Sequence, residues 1–176
     1  MLIGVVTYGI PASPAPCKGI AGEKNRKNVY ELNRLVMLPE YNGKNYASIL
    51  VGRSLKMMPH RSFIISYADS GWGHVGYIYQ ATNWLYTGKT VARTDIFCGD
   101  GKHGRHCEGK DRNQRMTRSS KYRYVYLVGD RRERREMRSE LKWPVINEYP
   151  KGESHHYDVD NPQMFEPVMF YTRSES

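Results

Sequence analysis

The sequence predicts a mixed α/β fold in which a parallel strand pair is followed by antiparallel strands. Two observations carry that expectation. A strand-like run at residues 29–38, a helix-period run at 45–58 and a second strand-like run at 62–69 follow one another, and a strand–helix–strand crossover makes its two strands parallel. Two further strand-like runs then come without such a crossover between them. The length, 176 residues, bounds the chain to one domain with a tail.

The opening "LIGVVTYGI" is short, β-branched and stopped by Pro11, which reads as a buried strand rather than a signal peptide, since no basic n-region or cleavage site accompanies it. "PASPAPCKGIAGEKNRKN" carries three prolines and two glycines and reads as a loop. "VYELNRLVML" alternates and ends at Pro39, as a strand does. In "NYASILVGRSLKMM", Ala47, Leu50, Val51, Ser54, Leu55 and Met58 recur at helical spacing, with Asn45 suited to the N-cap and Pro59 beyond the end. "SFIISYAD" is a strand with Phe63, Ile65 and Tyr67 on one side. Within "GHVGYIYQATNWLYTGK", Val75, Ile78, Tyr79, Thr82 and Leu85 form a helical stripe and Gly88 fits the position after its end. Tyr79 then faces the core, while Tyr77, Trp84 and Tyr86 lie off the stripe. "VARTDIFCG" and "YRYVYLVG" are strands, separated by a polar, basic loop at 100–121. "DRRERREMRSELKW" is a charged helix with an Arg132–Glu136 pair at i,i+4. The division is a domain at 1–151 and an acidic, weakly ordered tail at 152–176.

Charge narrows the partners. The net charge is +9. Residues 89–142 hold 16 Lys and Arg against 8 Asp and Glu, whereas residues 152–176 hold 1 against 5. Clustered cations of this kind release counterions from a polyanion, so nucleic acid is the implied partner. No apolar run approaches the ~20 residues that span a bilayer. Three widely spaced cysteines, Cys17, Cys98 and Cys107, argue against a disulfide scaffold and for a reducing compartment.

Four constellations carry chemistry. The junction "LPEYNGKNYAS" leads from strand to helix, and exposed N–H groups at Asn42, Gly43, Lys44, Asn45, Tyr46 and Ala47 suit a phosphate; the competing reading is a plain turn, and the Gly-Lys-Ser/Thr ending of a Walker loop is absent. "CGDGKHGRHC" brings Cys98, His103, His106 and Cys107 together at a spacing that matches no common zinc pattern, and Lys102, His103 and Arg105 read better as a loop that reaches DNA. Arg131, Arg132, Arg135 and Arg138 are placed on one face of the charged helix as phosphate contacts, against the alternative of a solvated surface helix. At the strand end "ISYADSGWG", Ser66, Tyr67 and Asp69 lie where open α/β sheets gather ligands, while Asp69 and Ser70 also suit a turn and cap.

The stretch from "YELNRLVMLP" through "SILVGRSLKMMP" and "FIISYADSGWGHVGYIYQATNWLYTG" to "LKWPVINEYPK" resembles the phage-encoded Mom family of DNA adenine-modification proteins, over residues 28–151. The resemblance implies a GCN5-related N-acetyltransferase (GNAT) scaffold, here without the strand and two helices that ordinarily precede the strand at 2–10. It also implies a transferase acting on adenine N6 in double-stranded DNA to give N6-methylcarbamoyl adenine, as an anti-restriction device in the host cytoplasm. Its donor is acetyl-CoA or a related acyl-CoA held at residues 42–47, although the usual Gln/Arg-x-x-Gly-x-Gly/Ala run is not present. Arg53, Ser66 and Asp69, then Asp95, are the catalytic candidates by position. A bound iron is associated with the family, with no ligand set assigned. Oligomeric state is left open, a dimer included. Chemistry on N6 requires the base to leave the stack, which stacking on aromatic rings offsets; Trp84 and Tyr86 are expected to wall the base or the donor. Thioester polarisation needs a backbone N–H near a strand bulge, and the strand at 29–38 is the place for it. The alternatives are an N-acetyltransferase of a protein or small-molecule amine, and a non-catalytic basic DNA-binding protein.

Overall fold

The computed structural model describes residues 1–96, 114–152 and 171–172. Five strands form the main sheet: β1 (Gly4–Gly9), β2 (Val29–Met37), β3 (Ser62–Asp69), β4 (Leu85–Lys89) and β7 (Lys121–Val128), in the order β1-β2-β3-β7-β4. β2 and β3 are parallel and the other neighbours antiparallel. The mixed α/β expectation therefore holds. A small second sheet joins β5 (Arg93–Ile96), β6 (Gln114–Arg118) and β8 (Tyr171–Thr172).

Helices cover both faces. On one side, α1 (Pro14–Asn25) and α4 (Arg131–Glu140) bury Cys17, Ile20, Ala21 and Met137 against Val29, Phe63, Ile65, Val125 and Leu127. On the other, α2 (Tyr46–Leu55) sets Val51 and Leu55, and α3 (Tyr77–Ala81) sets Ile78 and Tyr79, against Leu32, Ile64, Ala68, Trp84 and Tyr124. β3 is central because its alternation is apolar on both faces, as a strand covered on both sides must be. α2 lies as its stripe predicts, but Asn45 makes no side-chain cap. α4 opens with a capping box, Asp130 accepting from the Glu133 N–H and Glu133 accepting from the Asp130 N–H.

Three sequence expectations are corrected. Residues 11–28, read as a loop, hold α1. Ser13 accepts from Ala15 N–H and Pro14 takes the first turn, where its missing donor costs nothing; the helix then kinks at Ala21 and Gly22, where glycine takes φ +76°. The stretch 73–89, read as one helix, is a short helix, a turn and a strand. Asn83 adopts φ +60°, ending α3, and β4 then runs antiparallel to β7. Gly88, expected just past a helix end, takes φ +94° inside β4, where the register shifts. Finally, the distal end of the loop expected at 100–121 holds β6; most of the remainder lies outside the described residues, as does the expected tail apart from Tyr171–Thr172.

Residues 142–152 run back along β4. Ile146 bridges Tyr86, Tyr149 donates to the Trp84 carbonyl at 2.7 Å, and the Arg123 guanidinium sits 3.7 Å from the Trp143 ring centroid. This segment shields an edge strand that would otherwise present unpaired backbone groups.

Candidate functional site

Two structural faults near β2 open the site. The first is a bulge. Thr7 pairs with Arg34 and Tyr8 with Leu32, leaving Asn33 as an extra residue in β2, its side chain accepting from the Thr7 hydroxyl at 2.8 Å. The expectation of a bulge in this strand is met. The second is a parting of strands. β2 and β3 pair only at Val29–Phe63, Tyr30–Ile64 and Glu31–Ile65, although both strands run on. Where the ladder stops, Ser66 donates to the orphaned Leu32 carbonyl at 2.9 Å and lies 2.7 Å from the Tyr79 hydroxyl. Burial raises the Tyr79 phenol pKa above its ordinary value, so it stays protonated at neutral pH.

A cavity of about 380 Å³ opens beside this parting, lined by Leu35, Tyr67, Ala68, Asp69 and the segment Gly73 to Tyr79. Asp69 sits at its rim. Its carboxylate accepts from the Gly71 N–H at 3.0 Å and from the Ser119 hydroxyl, with the Lys121 ammonium at 3.4 Å. Burial opposes ionisation, but those three partners win and hold the carboxyl below its ordinary value.

A second cavity, about 370 Å³, lies on the α1 face and is lined by Ser13, Glu31, Tyr67, Arg93, Arg118, Ser119 and Lys121, among others. Tyr67 borders both cavities. Burial raises the Glu31 carboxyl above its usual range despite the Lys121 charge. Burial, with the Glu31 charge next, pushes the Tyr67 phenol up to about 12. A third cleft, about 460 Å³, lies between α4 and the end of β7; Arg131, Arg134, Arg135 and Arg138 line it with Asn83 and Leu85.

The expected catalytic set is not assembled as one cluster. Ser66 is bound to the Leu32 carbonyl and Tyr79 and lines none of these three cavities, whereas Asp69, three residues on, sits at the rim of the first. Asp69 also fulfils its plainer role, capping the turn at Ser70–Trp72. Arg53 is exposed on α2 and lines none of these three cavities. Asp95 belongs to the small sheet, paired with Arg118 at 2.9 Å. Residues 42–45 form an exposed turn that leads into α2 at Tyr46; Gly43 takes φ +72° and Lys44 lies 5.9 Å from the Tyr41 ring centroid.

The stacking expectation is corrected outright. Trp84 is fully buried, with Tyr79 and Tyr126 ring centroids 5.1 and 5.7 Å away, and Tyr86 is buried against Tyr124 and Tyr122. Neither leaves a ring face open to a base. On α4, Arg132 turns from the cleft to pair with Glu136 at 3.1 Å, and Arg134 takes the place expected of it. Spacing of i, i+3, i+4 and i+7 from Arg131 is the signal that finds Arg134. Tyr67 is among the residues expected at the strand end, whereas Glu31 carries a weaker signal: a carboxylate two residues after the apolar strand residue Val29 shares its face. Lys102, His103 and Arg105, with Cys98, His106 and Cys107, lie outside the described residues. Among the described residues no three His, Cys, Asp or Glu gather as metal ligands, so no ligand set for iron is assigned there.

Residues 1–151 match the family model described as the Mom protein family. Among curated proteins, the methylcarbamoylase mom of Escherichia phage Mu is 23% identical over 167 residues, covering 85% of this chain and 68% of that protein.

Proposed function

The chain belongs to the Mom protein family, and from that premise we propose that it modifies the N6 amine of adenine in double-stranded phage DNA, in the host cytoplasm, as protection against restriction. The family match over residues 1–151 carries the reading, and the Mu relative's name supplies the group transferred, a methylcarbamoyl. The parting of β2 from β3 supports it with a place for the chemistry: a cleft at the carboxyl end of parallel strands, where α/β sheets bind ligands.

The donor in this reading is a coenzyme A thioester. The exposed turn at 42–45 would take its phosphates at the start of α2, and the cavity beside Leu35 and Tyr79 would take its pantetheine arm. When bound, the thioester supplies an activated carbon. The protein's part is to hold and to exclude water. The bulge at Asn33 turns β2 away from β3, the Ser66 hydroxyl keeps the ladder end satisfied, and Tyr79 holds a proton beside the cavity wall. Asp69 fixes the turn that leads into the wall at 73–79.

Mass spectrometry of nucleosides from DNA of cells expressing the chain tests the reading. A modified deoxyadenosine is expected, absent from cells without the gene. Only unmodified deoxyadenosine, with thioester binding retained, would mark an acyltransferase of another amine. Salt-sensitive DNA binding without either would mark a DNA-binding protein that keeps the scaffold.

A further inference from the structure

We propose that the cavity on the α1 face receives the extruded adenine, with the Glu31 carboxylate accepting a hydrogen bond from its 6-amino group. The proposal rests on the reading of the chain as an adenine-modifying enzyme and assigns the acceptor to a place distinct from the donor cleft.

Position comes first. Glu31 is the last β2 residue still paired with β3, and it faces α1. Tyr67 follows Ile65, the partner of Glu31, by two positions and so stands on the same face. Their cavity therefore begins where the two strands part, on the sheet face opposite Ser66 and Tyr79. Tyr67 also borders the donor cleft, so one side chain near the end of β3 lines both spaces. A base in one and a donor in the other would not compete for one volume.

Chemistry comes second. The Glu31 carboxylate makes no hydrogen bond or ion pair to any described residue, and neither does the Tyr67 hydroxyl. Asp69 offers the contrast, held by Ser119, Gly71 and Lys121. The Glu31 carboxylate feels the Lys121 charge but is not tied up by it, so it stays available to a donor in the cavity, and a perturbed carboxyl lining a cavity is a functional-site candidate. The two free groups complement a purine edge. An ionised carboxylate only accepts and a phenol donates, while adenine presents an amino donor next to a ring-nitrogen acceptor.

Charge and size agree. Arg93, Arg118 and Lys121 line the same cavity. They suit the phosphates that flank a flipped nucleotide, because an extruded base brings its backbone to the mouth of the pocket. The volume, about 370 Å³, lies in the range of small-molecule sites, roughly 300–1,000 Å³.

The test uses the full chain and fluorescence anisotropy with three single-stranded oligonucleotides: all-thymidine, thymidine with one deoxyadenosine, and thymidine with one purine deoxyriboside, which lacks the 6-amino group. Wild type is expected to prefer deoxyadenosine over the purine deoxyriboside by about 10-fold, the scale of one well-placed base contact. Glu31→Ala should erase that preference while leaving affinity for the all-thymidine strand within about twofold, since backbone contacts carry it. Its melting temperature should not fall, because the substitution removes an unpaired, partly buried charge. A preference that survives in Glu31→Ala overturns the pocket assignment, and so does its absence in wild type. If modified deoxyadenosine is nonetheless found in cellular DNA, the function stands and only the pocket falls; if none is found, the function falls as well.

Discussion

Trp84 shows how a single side chain changes meaning once its neighbours are known. It is fully buried among Tyr79, Tyr124 and Tyr126, so Trp84→Ala should cost about 3–5 kcal/mol of stability, as large aromatic truncations in cores do. Chemical denaturation measures that loss, and DNA modification should fall only in proportion to the folded fraction. Asp69 is the opposite case, a polar group whose protein partners define it. Ser119, Gly71 and Lys121 lower its pKa against burial, so its stabilising contribution is present above the unfolded carboxyl pKa of ~3.9. The contribution is lost as pH falls through the lower folded value. Asp69→Asn should cost on the order of 1–2 kcal/mol at pH 7 and flatten the acid limb of the stability curve between pH 5 and the folded pKa; an unchanged limb in urea melts would refute the assignment.

The helix α4 divides its charges by face. Glu136 reaches Arg61 at 2.9 Å, Glu133 reaches His60 at 3.3 Å, and Glu140 lies 3.6 Å from Lys24. The acids are thus turned to the body of the protein. Arg131, Arg134, Arg135 and Arg138 face the cleft without an ion pair to any described residue. Four guanidiniums on one stripe repel one another unless an anion lies between them, and a phosphodiester backbone is the anion this chain is proposed to meet. Arg134→Ala and Arg138→Ala should each weaken duplex binding and reduce the slope of log affinity against log salt by about 1. Arg132→Ala, which removes only a surface pair with Glu136, should leave the slope unchanged. At the same scale, the segment 11–28 was unreadable as a helix. Its prolines and glycines signal a loop, and α1 forms because burial of Cys17, Ile20 and Ala21 outweighs weak propensity. The stretch 73–89 failed differently: Val75, Ile78, Tyr79, Thr82 and Leu85 match a helical period, yet that pattern also fits a short helix followed by a half-buried strand.

At the scale of the whole molecule, the main sheet carries helices on both faces, and Tyr67, near the end of β3, lines both the cavity beside residues 73–79 and the cavity on the α1 face. Two such cavities suit a reaction with a donor and an acceptor. The sequence by itself determined the β2–α2–β3 crossover, the charged helix α4 and the family, because each rests on local periodicity or on a contiguous motif. The family resemblance also placed the bulge in the right strand. Only the tertiary structure decided which residues share a cavity. Ser66 and Asp69 are three apart, yet only Asp69 borders the first cavity, whereas Glu31 and Tyr67 are distant in sequence and share the second. Trp84 moved from a wall to the core for the same reason. Periodicity reports the direction a side chain takes within its own element, but burial and partnership depend on what other elements bring to that face, and no local pattern encodes that.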